Sequence, residues 1–347
     1  TEQPVVIIEE SPIYFSEKAS LVVPKPFDLS LRKYITEVNG VAVATSREPK
    51  VDVTALKNGT STTATYNHPK NPIKVALGDI VTYEIRVYNE GSVDGYVEEI
   101  TDHLPEQLEY IVEDQVNISY GWKLKNSSDL HTVTTEYLSK NSETASGTNK
   151  ISAYNGGDLL SSKSVKIRCR VVGTTPMANK ITNIAEITKF TDGDGNTVTD
   201  RDSQGSNVNL PTGTALENYK DSEINRGESY IPGQQDDDDF EKLIIKSLDL
   251  SLRKYITSVN GNEITSRIPQ VDVTALKNGT STTATYNHPK TPVKVALGDT
   301  VVYTIRVYNE GEVDGYVNEI TDHLPSQLQF IAGNSINVQY GWTMYDE

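Results

Sequence analysis

Cysteine is almost missing. Cys169 is the single one in 347 residues, so no disulfide can close within the chain, and the covalent staple common in secreted β-modules is excluded. Its setting, SVKIRCRVV, puts Val165, Ile167 and Val171 on its face of an alternating strand, the pattern of a buried structural thiol. Phenylalanine (5) and tryptophan (2) are scarce beside 19 tyrosines, and Val, Ile and Thr recur throughout, a mix that favours strands and predicts almost no helix. No run approaches the roughly 18–20 apolar residues that span a bilayer, so no membrane insertion is expected in this segment. The opening TEQPVVIIEE has neither a charged n-region nor an apolar h-region and reads as a mature or excised piece. Basic residues are in deficit, 32 against 48 acidic, and the net charge of −16 repels nucleic acid and anionic membranes while favouring a cation as small partner. The five histidines make no zinc pattern, and no nucleophile elbow, phosphate-binding glycine loop or zinc-protease motif occurs.

What the chain does have is a long internal repeat. FDLSLRKYITEVNG at Phe27 returns as LDLSLRKYITSVNG at Leu248, and VDVTALKNGTSTTATYNHPK at Val51 returns unchanged at Val271. A period above 200 residues marks a domain in tandem, since solenoid units repeat every 20 to 50. The expected organisation is residues 1–26 as the end of an upstream domain or a linker strand, 27–247 as a complete repeat with an acidic connector at about 201–240, and 248–347 as the N-terminal half of a second copy. Short alternating runs bounded by Gly, Pro, Asn and Asp predict strands over 28–36, 51–55, 73–76, 80–89, 96–102, 108–112, 116–120, 164–172 and 180–190. The fold class is therefore all-β: tandem immunoglobulin-like β-sandwich domains, the second copy truncated. In VTYEIRVYN the alternation sends Val81, Tyr83, Ile85 and Val87 inward and Thr82, Glu84, Arg86 and Tyr88 outward.

One position breaks this pattern. In LSLRKYIT, Leu29, Leu31, Lys33 and Ile35 share the inward face, so a lysine sits where a core hydrophobe belongs. Two more polar residues fall in phase with core positions: Asn183, between Ile181 and Ala185, and Asp102, between Ile100 and Leu104. Burial lowers an amine pKa and raises a carboxyl pKa, which makes a neutral nucleophile and a protonated acid. The amine can then attack the asparagine carboxamide, expel ammonia and leave an isopeptide bond. Blander readings of the same residues are a lysine snorkelling from a strand end, an asparagine satisfying a bulge and an aspartate capping the turn before Pro105.

The runs GDIVTYEIRVYNEG, ITDHLP and ITNIAEIT, in that order, resemble the isopeptide-forming repeat domains of Gram-positive surface proteins and fimbriae. The resemblance covers residues 27 to 200 and the second copy as far as it goes. It implies Lys33 as donor on the first strand, Asn183 as acceptor on the last and Asp102 as acid, with Glu99 as the fallback acid if a bulge turns it inward. Lys254 and Asp322 are the matching but incomplete pair of the second copy. The function implied is a structural stalk module of an extracellular, cell-surface or fimbrial protein, self-cross-linked in a single turnover and not an enzyme. Its partners would be neighbouring repeats of the same protein. The alternative is an adhesin that contacts a glycan or host protein through the sandwich loops. No cofactor is required. In TDGDGNTVTDRD, Asp192, Asp194, Asn196 and Asp200 have the one-three-five-nine spacing of a calcium loop, with Asp202 and the DDDD run at Asp236 as further oxygens; a hairpin turn and a solvated linker explain the same residues.

Overall fold

The computed structural model describes residues 26–44, 46–143, 148–173, 180–206, 208, 210 and 236–345. Residues 1–25 of the expected upstream segment and most of the connector fall outside them. The chain divides into two compact units, Thr1–Ile245 and Lys246–Glu347.

Among its described residues the first unit has thirteen strands: β1 Leu29–Val38, β2 Val41–Ala42, β3 Lys50–Asp52, β4 Thr65–Asn67, β5 Ile73–Val75, β6 Ile80–Asn89, β7 Gly95–His103, β8 Leu108–Tyr110, β9 Lys123–Asn126, β10 Asp129–Thr135, β11 Ser162–Val171, β12 Lys180–Asp192 and β13 Asp238–Ile245. They form a five-stranded sheet in the order β2-β1-β6-β11-β8 and a six-stranded sheet in the order β5-β13-β12-β7-β10-β9. All pairings within the two sheets are antiparallel except β13 with β5. The core between them takes Leu29, Leu31, Ile35, Tyr83 and Ile85 from one sheet and Ile100, Ile181, Ala185, Ile187 and Leu243 from the other. Cys169 is buried there as a free thiol.

Three expectations need correction. Residues 116–120 are helical, Gln115–Ser119, because Asp114 caps the turn by accepting from the Val116 amide at 2.8 Å. Strand 51–55 ends early for a related reason: the Asp52 carboxylate accepts from the Thr54 amide at 2.9 Å and starts the helical turn Thr54–Lys57. The outer face of β6 is not solvated, since Thr82, Glu84 and Tyr88 are buried. Tyr66, on the β3–β4 hairpin, packs against Tyr88 with ring centroids 5.1 Å apart and takes the Arg32 guanidinium at 3.9 Å from its own centroid.

The DDDD run is not a solvated linker. Asp236, Asp237, Asp238 and Asp239 are buried, and the last two already belong to β13, which lies between β5 and β12. Pairing with β2 engages β1 only at Glu37 and Val38, which leaves its earlier amides needing acceptors. Asp200 Oδ2 accepts from Leu29 N at 2.8 Å, the Asp236 carbonyl from Leu31 N at 2.8 Å, and Asp239 Oδ2 from Lys33 N at 2.7 Å. Acidic side chains and one carbonyl thus close the open edge of β1.

The second unit carries β14 Leu250–Val259, β15 Asn262–Glu263, β16 Gln270–Asp272, β17 Thr285–Asn287 and β18 Val301–Asn309. Its β14–β18 register sets Lys254 opposite Ile305, as β1–β6 sets Lys33 opposite Ile85. Among the described residues it forms no strand after Asn309. Leu250 and Leu252 are 37% and 47% exposed, where their counterparts Leu29 and Leu31 are fully buried.

Candidate cross-linking site

Lys33 stands mid-strand on β1 between Leu31 and Ile35, and strand phase sends all three into the core. The side chain does not run to solvent. Its Nζ donates to Asp102 Oδ2 at 2.6 Å across the gap between the sheets, and it lies 4.9 Å from the centroid of the Tyr83 ring. Burial pushes the Lys33 pKa down, and the adjoining Asp102 carboxylate opposes that shift.

Asp102 comes from β7, where it faces Ala185 of β12. Asn183 is two residues along β12 on the same face, the diagonal neighbour of Asp102, a relation that sets side chains about 7–8 Å apart. Lys33, Asp102 and Asn183 are all fully buried. Asp102 Oδ1, the Tyr83 hydroxyl and both polar atoms of the Asn183 amide have no hydrogen-bond partner. Burial pushes the pKa of the Tyr83 phenol well up, and Asn183 acts weakly against that shift. Each unmet buried group costs about 1–3 kcal/mol, and several of them surround this one amine. Chemically it is a buried amine held by a carboxylate, with a buried, unpaired carboxamide as that carboxylate's diagonal neighbour.

The fallback acid lies elsewhere. Glu99 accepts from Thr188 Oγ1 and from Lys189 Nζ, each at 2.9 Å, and makes no contact with Lys33. In the second unit Lys254 pairs with Asp322, but both side chains are partly exposed.

The four residues of the calcium-loop spacing separate. Asp192 Oδ1 accepts from the amides of Asp194 (3.0 Å) and Asn196 (2.8 Å), and Asn196 Nδ2 donates to Asp192 Oδ2 at 3.0 Å, a turn satisfied by itself. Asp200 instead joins Asp28 and Asp202, whose oxygens lie within 4.8 Å of one another, and Asp28 meets Glu90 and Asp236 in the same way.

Sequence reasoning missed Tyr83 as the wall of the lysine pocket and missed two buried ion pairs on β13. Arg47 Nε and Nη2 hold the Glu241 carboxylate at 2.8 and 2.7 Å, and Lys70 Nζ holds Asp239 at 2.8 and 2.7 Å. The signal was there: Asp239, Glu241, Leu243 and Ile245 alternate on one face, behind a composition that looked like linker.

No family model matches the chain, and no curated protein matches it. Among solved structures, 39 chains match. One is BcpA, the major pilin subunit of Bacillus cereus, 10% identical, with 81% of this chain and 59% of that one covered and a TM-score of 0.25. Two more are of the pilus backbone protein RrgB from Streptococcus pneumoniae, each 11% identical. In the full-length one, 65% of this chain and 38% of that one are covered, with a TM-score of 0.26; in the other, 67% and 53%, with a TM-score of 0.25. The chain thus spans between 38% and 59% of the length of these three. Superposition at this level equates no individual residues, and the roles of Lys33, Asp102 and Asn183 rest on their own geometry.

Proposed function

We propose that residues 27–247 are a stalk repeat of an extracellular, cell-surface or fimbrial protein, locked by a self-formed isopeptide bond between Lys33 and Asn183. The observation that carries the reading is the buried Lys33–Asp102 pair beside an asparagine amide with no partner. Transfer of one proton from the Lys33 ammonium to Asp102 gives a neutral amine and a neutral acid, the combination a low-dielectric core favours. The acid polarises the Asn183 carbonyl while Nζ attacks its carbon. The new Nζ–Cγ bond forms, the Cγ–Nδ2 bond breaks, and Nδ2 leaves as ammonia with a proton from the amine, relayed by Asp102. Effective concentration in a packed core supplies the rate, and there is one turnover per chain. Lys33 and Asn183 are 150 positions apart, and closing that loop is worth about 5 kcal/mol by the chain-entropy estimate. Tandem repetition supports a spacer role, with neighbouring repeats of the same protein as partners.

The test is intact mass. The folded protein should be lighter than its sequence by one ammonia, while Lys33→Met and Asp102→Asn should each have their full sequence mass and melt at lower temperature. A folded wild-type protein of full sequence mass would defeat the proposal.

A further inference from the structure

At the end of the first unit where β1 begins, five carboxylates from four stretches of chain come together. Asp28 precedes β1, Glu90 follows β6, Asp200 and Asp202 follow β12, and Asp236 precedes β13; all five are buried. Asp28 is the hub. One of its oxygens lies within 4.8 Å of oxygens from Glu90 and Asp236, and likewise with Asp200 and Asp202.

Some of these oxygens are anchored and some are not. Glu90 accepts from Ser30 Oγ at 3.1 Å, from the Ala64 amide at 2.8 Å and from the Tyr66 hydroxyl. Asp200 accepts from the Leu29 amide and, at 3.3 Å each, from the amides of Asp202 and Ser203. Asp236 Oδ1 accepts from Ser203 Oγ at 2.8 Å. By contrast, both oxygens of Asp28, Oδ1 of Asp202 and Oδ2 of Asp236 have no hydrogen-bond donor. Arg201 Nη1 lies 3.2 Å from Asp28 Oδ2, an ion pair without hydrogen-bonding alignment, and that nitrogen donates to the Thr62 carbonyl at 2.7 Å. Arg32 Nη1 donates to two backbone carbonyls, that of Leu31 and, at 3.1 Å, that of Asp236. Two guanidiniums therefore face five acids.

We propose that Asp28, Glu90, Asp200, Asp202 and Asp236 form a calcium site that ties the start of β1 to the end of β6, the loop after β12 and the entry to β13. An all-oxygen, carboxylate-rich set selects a hard cation, and the irregular spread of donors suits calcium, which takes six to eight oxygens, better than magnesium with its strict octahedron. The hydrogen bonds on Glu90 and Asp200 act as outer-shell anchors that fix ligand direction. Gly91 belongs to the same device: a Cβ there would lie 2.6 Å from Asp28 N and 2.7 Å from the Pro26 carbonyl, so only glycine lets Glu90 approach Asp28. The site is distinct from the Asp192–Asn196 turn. Asp28 and Glu90 recur in the second unit as Asp249 and Glu310.

The experiment is calorimetric titration of the whole 347-residue chain, stripped with chelator, with calcium and separately with magnesium. One calcium per chain should bind, more tightly than magnesium. Asp28→Asn and Asp236→Asn should each weaken it by about tenfold or more, while Asp192→Asn should leave it unchanged. Absence of saturable calcium binding, equal affinity for magnesium, or loss in Asp192→Asn with retention in Asp28→Asn would each overturn the proposal. If either carboxylate variant fails to fold, crystals of the wild-type protein grown with terbium decide it. An anomalous peak among the five carboxylates supports the site, and a peak only at Asp192, or none, refutes it.

Discussion

Lys33 shows how far a single residue can be read: strand phase alone puts its amine inside, and the structure finds it there with Asp102. His68 shows the opposite case, because nothing in NHPK announces a buried imidazole. Its side chain is buried among Lys70, Asp239, Arg32 and Arg47, and burial first, then the Lys70 charge, lower its pKa to about 3. The unfolded chain binds the extra proton, so the stability present above about pH 6.5 is lost as the pH falls toward 3. Between pH 7 and pH 5 this single group should cost about 2 kcal/mol. Urea denaturation of wild type and His68→Gln at both pH values isolates it: the difference in unfolding free energy between the two proteins should shift by that amount, and a constant difference would show that His68 does not titrate this way. His288, the same residue in the second unit, is only half-buried and should contribute less.

Among the elements, the long alternating strands β1, β6, β11 and β12 were legible because each buries one apolar face. β13 was not. Its inward face begins with Asp239 and Glu241, which are core residues only because Lys70 and Arg47 arrive from distant sequence to neutralise them. Composition cannot foresee a partner some 190 positions away. For the same reason the acidic stretch looked like a connector, and β12 looked like the last strand when β13 still follows it. The pairing predicts a large effect: Arg47→Met strands a buried carboxylate and should destabilise the first unit by about 3–5 kcal/mol. Arg47→Met combined with Glu241→Leu should recover most of that loss. Thermal melts of the two variants measure it, and equal destabilisation in both would mean that the ion pair is not what holds β13.

Across the whole molecule the two copies of one sequence meet different fates. The first unit covers the inward face of β1 with β12 and β13; in the second, Leu250 and Leu252 stay open and the Lys254–Asp322 pair is partly wet. Limited proteolysis of the chain should therefore cut beyond residue 246 before it cuts the described strands of the first unit, with mass spectrometry placing the sites. Equal resistance of both units would contradict this. The position of β13 has one more consequence, for a module under load. A bond from Lys33 to Asn183 leaves every residue after Asn183 outside the covalent clamp, including β13, through which the chain leaves the first unit. Pulled from its two ends, such a module would not be inextensible. Up to roughly 200 Å of chain could peel away before the isopeptide bond took the force. Hydrogen bonds, the buried Leu243 and Ile245, the Arg47 and Lys70 ion pairs and whatever cation the carboxylates hold would resist that peeling, so such a module would behave as a shock absorber whose stiffness is set at β13 and whose breaking point is set at Lys33.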